Sequence, residues 1–210
     1  IFVLREPEKF LSSDKVIFER VKIPRNDGTN LADYLLSGIY TTAICIDDAN
    51  RKWIGTQNNG VFLLSEDGKE TIHHFTEENS PLLSNYIQTI AINSSTGSVF
   101  FGTSLGLIEY GGDATEPENS LSESNIEVYP NPVNPDFDGP VTIKGMSDKC
   151  TVRIVSASGS LIYQGYSNGG TFTWNVTDRN GNRVSSGIYH AIITDLNNSK
   201  STSVSITVIR

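Results

Sequence analysis

At 210 residues the chain holds one large or two small domains, and its formal net charge of −8 argues against partners such as nucleic acid or anionic membrane surfaces, because no basic patch offsets it. Apolar residues make up 37%, with nine Phe, eight Tyr and two Trp, enough for real cores. No apolar run reaches the roughly 18 residues needed to span a bilayer.

The chain opens directly in strand-like sequence with no signal peptide, as expected of a fragment of a longer protein. Residues 1–4 predict a strand. Residues 16–23 alternate (Val16, Phe18, then Val21, Ile23) and predict a second. Asn26-Asp27-Gly28 reads as a turn. The oxygen-rich run Asn26, Asp27, Thr29, Asn30 lacks the spaced carboxylates and terminal Glu of a calcium loop, so it too reads as turn. Asn30 is placed to cap a short helix through Leu36, with Asp33 as capping-box partner and Gly38 just beyond. Cys45 and Cys150 are the only cysteines; both lie in or beside apolar alternations and read as buried thiols, not a disulfide.

Residues 39–110 carry an internal repeat. Trp53-Ile54-Gly55-Thr56 returns as Phe100-Phe101-Gly102-Thr103. Each copy is preceded by an apolar alternation (Ile44, Ile46; Ile90, Ile92) and then by Asp47 or Asn93, whose side chain can accept backbone N–H bonds in a turn. Each is followed by Gly and an aliphatic residue (Gly60-Val61; Gly106-Leu107) opening another strand. Trp53 and Phe100 are expected to fill the layer between neighbouring sheets, and Gly55 and Gly102 to permit close approach. Short strands at a period of about 40–50 residues are the mark of β-propeller blades, and two copies are too few to close a ring. Ser65-Glu66-Asp67-Gly68 predicts a hairpin turn. His73 and His74 are adjacent in a strand and so point to opposite faces, which prevents them from chelating one metal.

Residues 111–125 are rich in Gly, Ser and acidic residues and read as a linker or extended crossing, with a domain boundary near 120. Beyond it come seven strand candidates, at 126–129, 141–144, 151–156, 161–166, 171–176, 187–194 and 202–209, separated by Gly- and Asn-rich turns. The expected fold is therefore all-β: about two propeller blades with flanking strands over 1–120, then a seven-stranded immunoglobulin-like sandwich over 121–210. Trp174 is expected to plug its core.

The first part resembles the regulator-type propeller repeats of bacterial periplasmic and surface proteins, in which an Asp, a Gly, an aromatic-x-Gly-Thr run and a Gly-aliphatic pair follow in that order. Asp47, Trp53, Gly55, Thr56 and Gly60 match, with Asn50 at the Gly position. Gly97, Phe100, Gly102, Thr103 and Gly106 match again, with Asn93 at the Asp position. Residues 126–210 resemble the C-terminal sorting domain of type IX secretion cargo and the domain of flagellar hook-capping proteins. Tyr129-Pro130-Asn131-Pro132 with Asn134-Pro135 is the entry motif; Trp174, Asp178-x-x-Gly181, Ser186-Gly187-Ile188-Tyr189 and the ending Val208-Ile209-Arg210 complete it. Asn175-Val176 stands where Asp-Gly is usual. The resemblance implies a secretion signal carried by Pro130, Asn131, Pro132, Gly187, Tyr189, Val208 and Arg210.

Both parts in this order resemble a surface component of the type IX machinery. That resemblance implies a Gram-negative cell surface or periplasm, outer-membrane association, partners among the secretion and attachment components, and handling of anionic lipopolysaccharide. Two other readings are a glycan-sensing extracytoplasmic part of a hybrid two-component regulator, and the tail of a secreted hydrolase whose catalytic domain is upstream. A glycosidase needs two carboxylates held at a defined separation, whereas the carboxylates here fall mostly in turns and the linker. No enzyme, cofactor, metal or nucleic-acid role is expected.

Overall fold

The computed structural model describes the chain apart from residues 5, 6, 10, 11, 13–16, 26, 27 and 29. Val16, the Asn26-Asp27 turn and most of the oxygen-rich run therefore lie outside the described residues. The fold is all-β. Among the described residues helix is confined to two short 3-10 segments, Pro7–Lys9 and Glu123–Asn125, and no sheet closes into a barrel. Two compact units are present. One takes in Ile1–Ile46, Asn50–Ile92 and Val99–Tyr110, the other Asp47–Ala49, Asn93–Ser98 and Gly111–Arg210.

The first unit begins with two antiparallel pairs, β1 (Phe2–Leu4) with β2 (Phe18–Arg20), and β3 (Lys22–Pro24) with β4 (Ala32–Tyr34). The expected strand at 16–23 is thus interrupted at Val21. The expected helix over 30–36 is absent, and β4 stands in its place. Seven residues are too few to hold a helix on one weak cap. Pairing of Lys22 to Tyr34 and Ile23 to Asp33, the Arg25–Asp33 ion pair at 2.7 Å and burial of Leu35 favour the strand.

Next comes a four-stranded antiparallel meander of β5 (Thr41–Ile46), β6 (Lys52–Thr56), β7 (Val61–Leu64) and β8 (Thr71–Phe75). A three-stranded sheet of β9 (Ile87–Asn93), β10 (Ser98–Thr103) and β11 (Gly106–Gly111) follows. Period-2 alternation splits the meander's side chains between two cores. Trp53, Val61 and Leu63 pack with Leu82, Ile87, Val99 and Phe101 of the next sheet. On the opposite face Ile54, Phe62 and Leu64 pack with Leu35.

In the second unit β12 (Glu127–Tyr129), β13 (Val141–Lys144) and β16 (Phe172–Trp174) form a three-stranded sheet. β14 (Cys150–Ser156), β15 (Leu161–Tyr166), β17 (Gly187–Asp195) and β18 (Ser201–Val208) form a four-stranded one in the order β15-β14-β17-β18. All seven strand candidates are present. The two sheets share one core, to which each gives its inward alternates: Val141, Ile143, Phe172 and Trp174 from one, Val152, Ile154, Ala191, Ile193, Ile206 and Val208 from the other.

The stretch 113–121 is held along its length. Thr115 bridges to Gly169 and Glu118 to Ser147. Asn168 Nδ2 donates to Asp113 Oδ2 at 2.8 Å, the Thr115 and Thr171 hydroxyls meet at 2.6 Å, and Leu121 enters the core. A Cβ at Gly169 would stand 2.2 Å from the Thr115 carbonyl oxygen, so this crossing requires glycine there.

Candidate functional site

The repeat signature is a set of local structural devices. Asp47 Oδ1 accepts from Ala49 N at 3.0 Å, and Asn93 Oδ1 from Ser95 N at 3.1 Å. Asn50 and Gly97 follow at φ 56 and 79, which explains Asn in place of Gly, since both types reach the left-handed region. Thr56 Oγ1 donates to Gly60 O at 2.8 Å, and Thr103 Oγ1 to Gly106 O at 2.9 Å, so each threonine closes its hairpin. A Cβ at Gly55 would lie 2.6 Å from Ile87 Cγ2 of the next sheet, and one at Gly102 equally close to Thr89 Cγ2; the close approach is to side chains.

Trp53 is 1% exposed, with ring centroids 5.5 Å from both Phe101 and Tyr110. Phe100 does not fill a corresponding layer. It is half-buried, because β10 turns Val99 and Phe101 towards Trp53 and Phe100 the other way. Ile44 and Ile46 share a face as expected, but it is the exposed one; Ala43 and Cys45 face inward, half-buried. Cys45 is thus only partly covered while Cys150 is buried; both are free, and burial pushes the Cys150 thiol pKa up. His73 stacks near Phe75 and His74 on Phe62, on opposite faces of β8.

Of the sorting residues named from the sequence, Asn131, Gly187, Tyr189 and Val208, distant in sequence, meet at β18. Tyr129-Pro130 and Asn131-Pro132 are both cis, and the prolines, lacking N–H groups, end the pairing of β12. Asn131 then lies along the free edge of β18. Its Nδ2 donates to Ser205 O at 2.8 Å, and its Oδ1 accepts from Thr207 N at 2.9 Å. Val133, fully buried, continues the contact: its amide donates to Thr207 O at 2.8 Å and its carbonyl accepts from Ile209 N at 2.9 Å.

On the other edge of β18, Gly187 pairs with Val208 and Tyr189 with Ile206. The Tyr189 ring packs 5.6 Å from Trp174, which is fully buried, and its hydroxyl donates to Ser185 O at 2.8 Å. Arg210 N donates to Ser186 Oγ at 2.9 Å. Ile188 and Ile209 remain exposed on this terminal strand pair.

Three features escaped sequence reading. Asp195, fully buried, accepts from Ser147 Oγ at 2.7 Å and from the Asn197 and Asn198 amides; these bonds, the serine's first, hold its carboxyl below the usual range. The only signal was its place before the Asn197-Asn198 turn. Val176, where the family has Gly, sits at φ 59 with its side chain fully buried. An open groove of about 940 Å³ in the first unit brings Arg20, Lys22, Phe2, Phe18 and Tyr34 together, the Arg20 guanidinium lying 3.8 Å from the Tyr34 centroid. Among the described residues no three or more His, Cys, Asp or Glu gather as a metal site, and no helix is long and apolar enough to cross a membrane.

Residues 127–207 match the secretion system C-terminal sorting domain family. The whole chain is similar to part of PorZ, described as an essential bacterial surface component of the type IX secretion system of Porphyromonas gingivalis, at 36% identity and a TM-score of 0.65. It spans 28% of the length of that structure. The extracellular domain of a putative hybrid two-component system of B. thetaiotaomicron aligns over 93% of this chain and 29% of its own, at 14% identity and a TM-score of 0.31. Dimeric latent PorU of P. gingivalis aligns over 57% of this chain and 13% of its own, at 14% and 0.31. No curated protein matches. The sorting-domain match and the likeness to PorZ associate the chain with type IX secretion, and a sorting domain of this kind implies a secreted or cell-surface protein.

Proposed function

We propose that this chain is the C-terminal part of a non-enzymatic scaffold on the outer-membrane surface, working with the type IX components that attach cargo. The repeat sheets are read as β-propeller blades, and the seven-stranded unit as an immunoglobulin-like domain that carries a sorting signal. The observation that carries this reading is the union of two features in one chain: the two-copy repeat, and a sorting-type domain whose signature residues gather on β18. The 36% identity to PorZ across both supports it.

The test is removal of residues 203–210 from the natural polypeptide in a type IX-secreting cell, read by fractionation and surface protease accessibility. The expected result is retention in the periplasm. Unchanged surface exposure of the truncated protein would overturn the sorting role.

A second reading concerns a ligand. The groove beside Tyr34 combines exposed aromatic rings with Arg20 and Lys22, a lining suited to an anionic sugar such as that of lipopolysaccharide. Glu19, Glu66 and Asp67 also line it; Lys69 is paired with Asp67 at 2.9 Å and Lys52 Nζ donates to the Asn50 and Glu66 carbonyls, so the attraction rests on Arg20 and Lys22. Arg20→Ala with Lys22→Ala should weaken lipopolysaccharide binding in a pull-down; equal binding by the double variant would remove this site.

A further inference from the structure

The two sheets of the second unit end differently at their edges. In the three-stranded sheet the outer strands, β12 and β16, have three residues each. In the four-stranded sheet Asn131 and Val133 close the β18 edge. The other edge is β15, the six residues Leu161-Ile162-Tyr163-Gln164-Gly165-Tyr166, about 20 Å long. No described strand pairs beyond it. It has no charged residue and no proline to blunt it, and its one register shift lies at the Leu161 end, beside Val155. Ser167 N donates to Cys150 O at 2.9 Å. By antiparallel alternation Tyr163 and Gly165 then turn their amides to β14, while Gln164 and Tyr166 turn theirs outward.

The face beside this edge is unlike the rest of the chain in charge. Gln164 stands in register with Arg153, and Tyr166 with Thr151. All four lie on the face opposite Val152 and Ile154, which enter the core. The outward positions of the four strands hold no Asp or Glu, in a chain of net charge −8. The one carboxylate in these strands, Asp195, is buried on the core side. Arg153 is exposed and is the only permanent charge on the face, with Gln164 in register on one side and Ile192 on the other. Tyr166, at the end of the edge, is 66% exposed.

We propose that β15 takes up an extended acidic segment of a partner protein as a fifth strand, with the segment's carboxylates on the Arg153 face. Strand addition draws affinity from main-chain bonds, here with Gln164 and Tyr166, and selectivity from alternate side chains. A partner residue beside Gln164 lies two strand spacings, about 10 Å, from the Arg153 backbone, a gap that Arg and Glu side chains close together. Bonds between guanidinium and carboxylate are among the strongest available to a side chain, so an acidic residue is favoured there. A second copy of this chain fits less well, because its β15 brings no carboxylate to Arg153 and like-charged chains repel. A glycan offers no ladder of amides and carbonyls to match the outward groups of β15.

The experiment titrates the natural polypeptide with a fluorescent peptide of alternating Glu and Thr, and with its Lys-Thr counterpart, and reads anisotropy and hydrogen exchange. The expected result is binding of the Glu peptide alone, with slowed exchange of the Gln164 and Tyr166 amides. Arg153→Gln should weaken binding about tenfold, the loss of one charge-assisted bond. Gln164→Pro removes an outward N–H and no bond to β14, so the Tyr163 and Gly165 amides should stay protected while peptide binding is lost. Equal binding of the two peptides, undiminished binding by Arg153→Gln or Gln164→Pro, or no slowing at Gln164 and Tyr166 would overturn the proposal. Slowing of these two amides by lipopolysaccharide, or by raised protein concentration without peptide, would overturn it too, in favour of a glycan or a second copy.

Discussion

Asn131→Ala should loosen the terminal strand without unfolding the unit. The substitution removes two hydrogen bonds together, Nδ2 to Ser205 O at 2.8 Å and Thr207 N to Oδ1 at 2.9 Å. A single such bond is worth about 0.5–1.5 kcal/mol net, and both here are solvent-exposed, so the combined loss is about 1–2 kcal/mol. The bonds between Val133 and β18, and the ladder from β17, stay in place, so the effect is local. The urea midpoint should fall by the equivalent of that energy with an unchanged slope. Exchange of the Thr207 amide should accelerate about tenfold, the factor that 1.4 kcal/mol represents. Asn131→Asp keeps an acceptor for Thr207 but sets a carboxylate oxygen against the Ser205 carbonyl, so it should cost at least as much. Unaltered Thr207 exchange in Asn131→Ala, or an Asn131→Asp protein as stable as the parent, would refute this role for the Asn131 side chain.

Trp53→Ala and Trp174→Ala should each cost about 3–5 kcal/mol, as for other large buried aromatics; unchanged melting of either variant would remove its structural role. Gly169→Ala and Gly159→Ala both place alanine at positive φ, a cost of about 1–2 kcal/mol, but only the first also drives a Cβ onto the Thr115 carbonyl. Equal urea midpoints for the two variants would contradict the packing of the 113–121 crossing. Asp195 has a depressed carboxyl pKa, so the stability it contributes is present above the unfolded value near 3.9 and is lost as pH falls towards the folded value. Urea midpoints measured from pH 5 down to 2 should therefore fall less steeply in Asp195→Asn, and parallel curves would dismiss the assignment.

The alternation of Phe172 with Trp174, and of Ile206 with Val208, was enough to put the members of each pair on one face of their strand, because a strand's side chains divide between two faces whatever the partner. The Asp47 and Asn93 turns and the glycines at positive φ were legible for the same reason: they are settled by bonds spanning a few residues. Residues 30–36 were not legible. Their cap and Gly38 favour a helix locally, and only pairing with β3 and burial of Leu35 decide for a strand. Nor could sequence separate Trp53 from Phe100, identical in pattern but unlike in burial, since burial depends on which sheet lies alongside. The sorting residues carry the same lesson. Their types and spacing are written in the chain, but Asn131 meets Ser205 and Thr207 only because the sheets bring the entry segment to the free edge of β18. Short-range bonds are fixed by the order of residues; contacts between segments some 75 residues apart exist only once the core between them has formed.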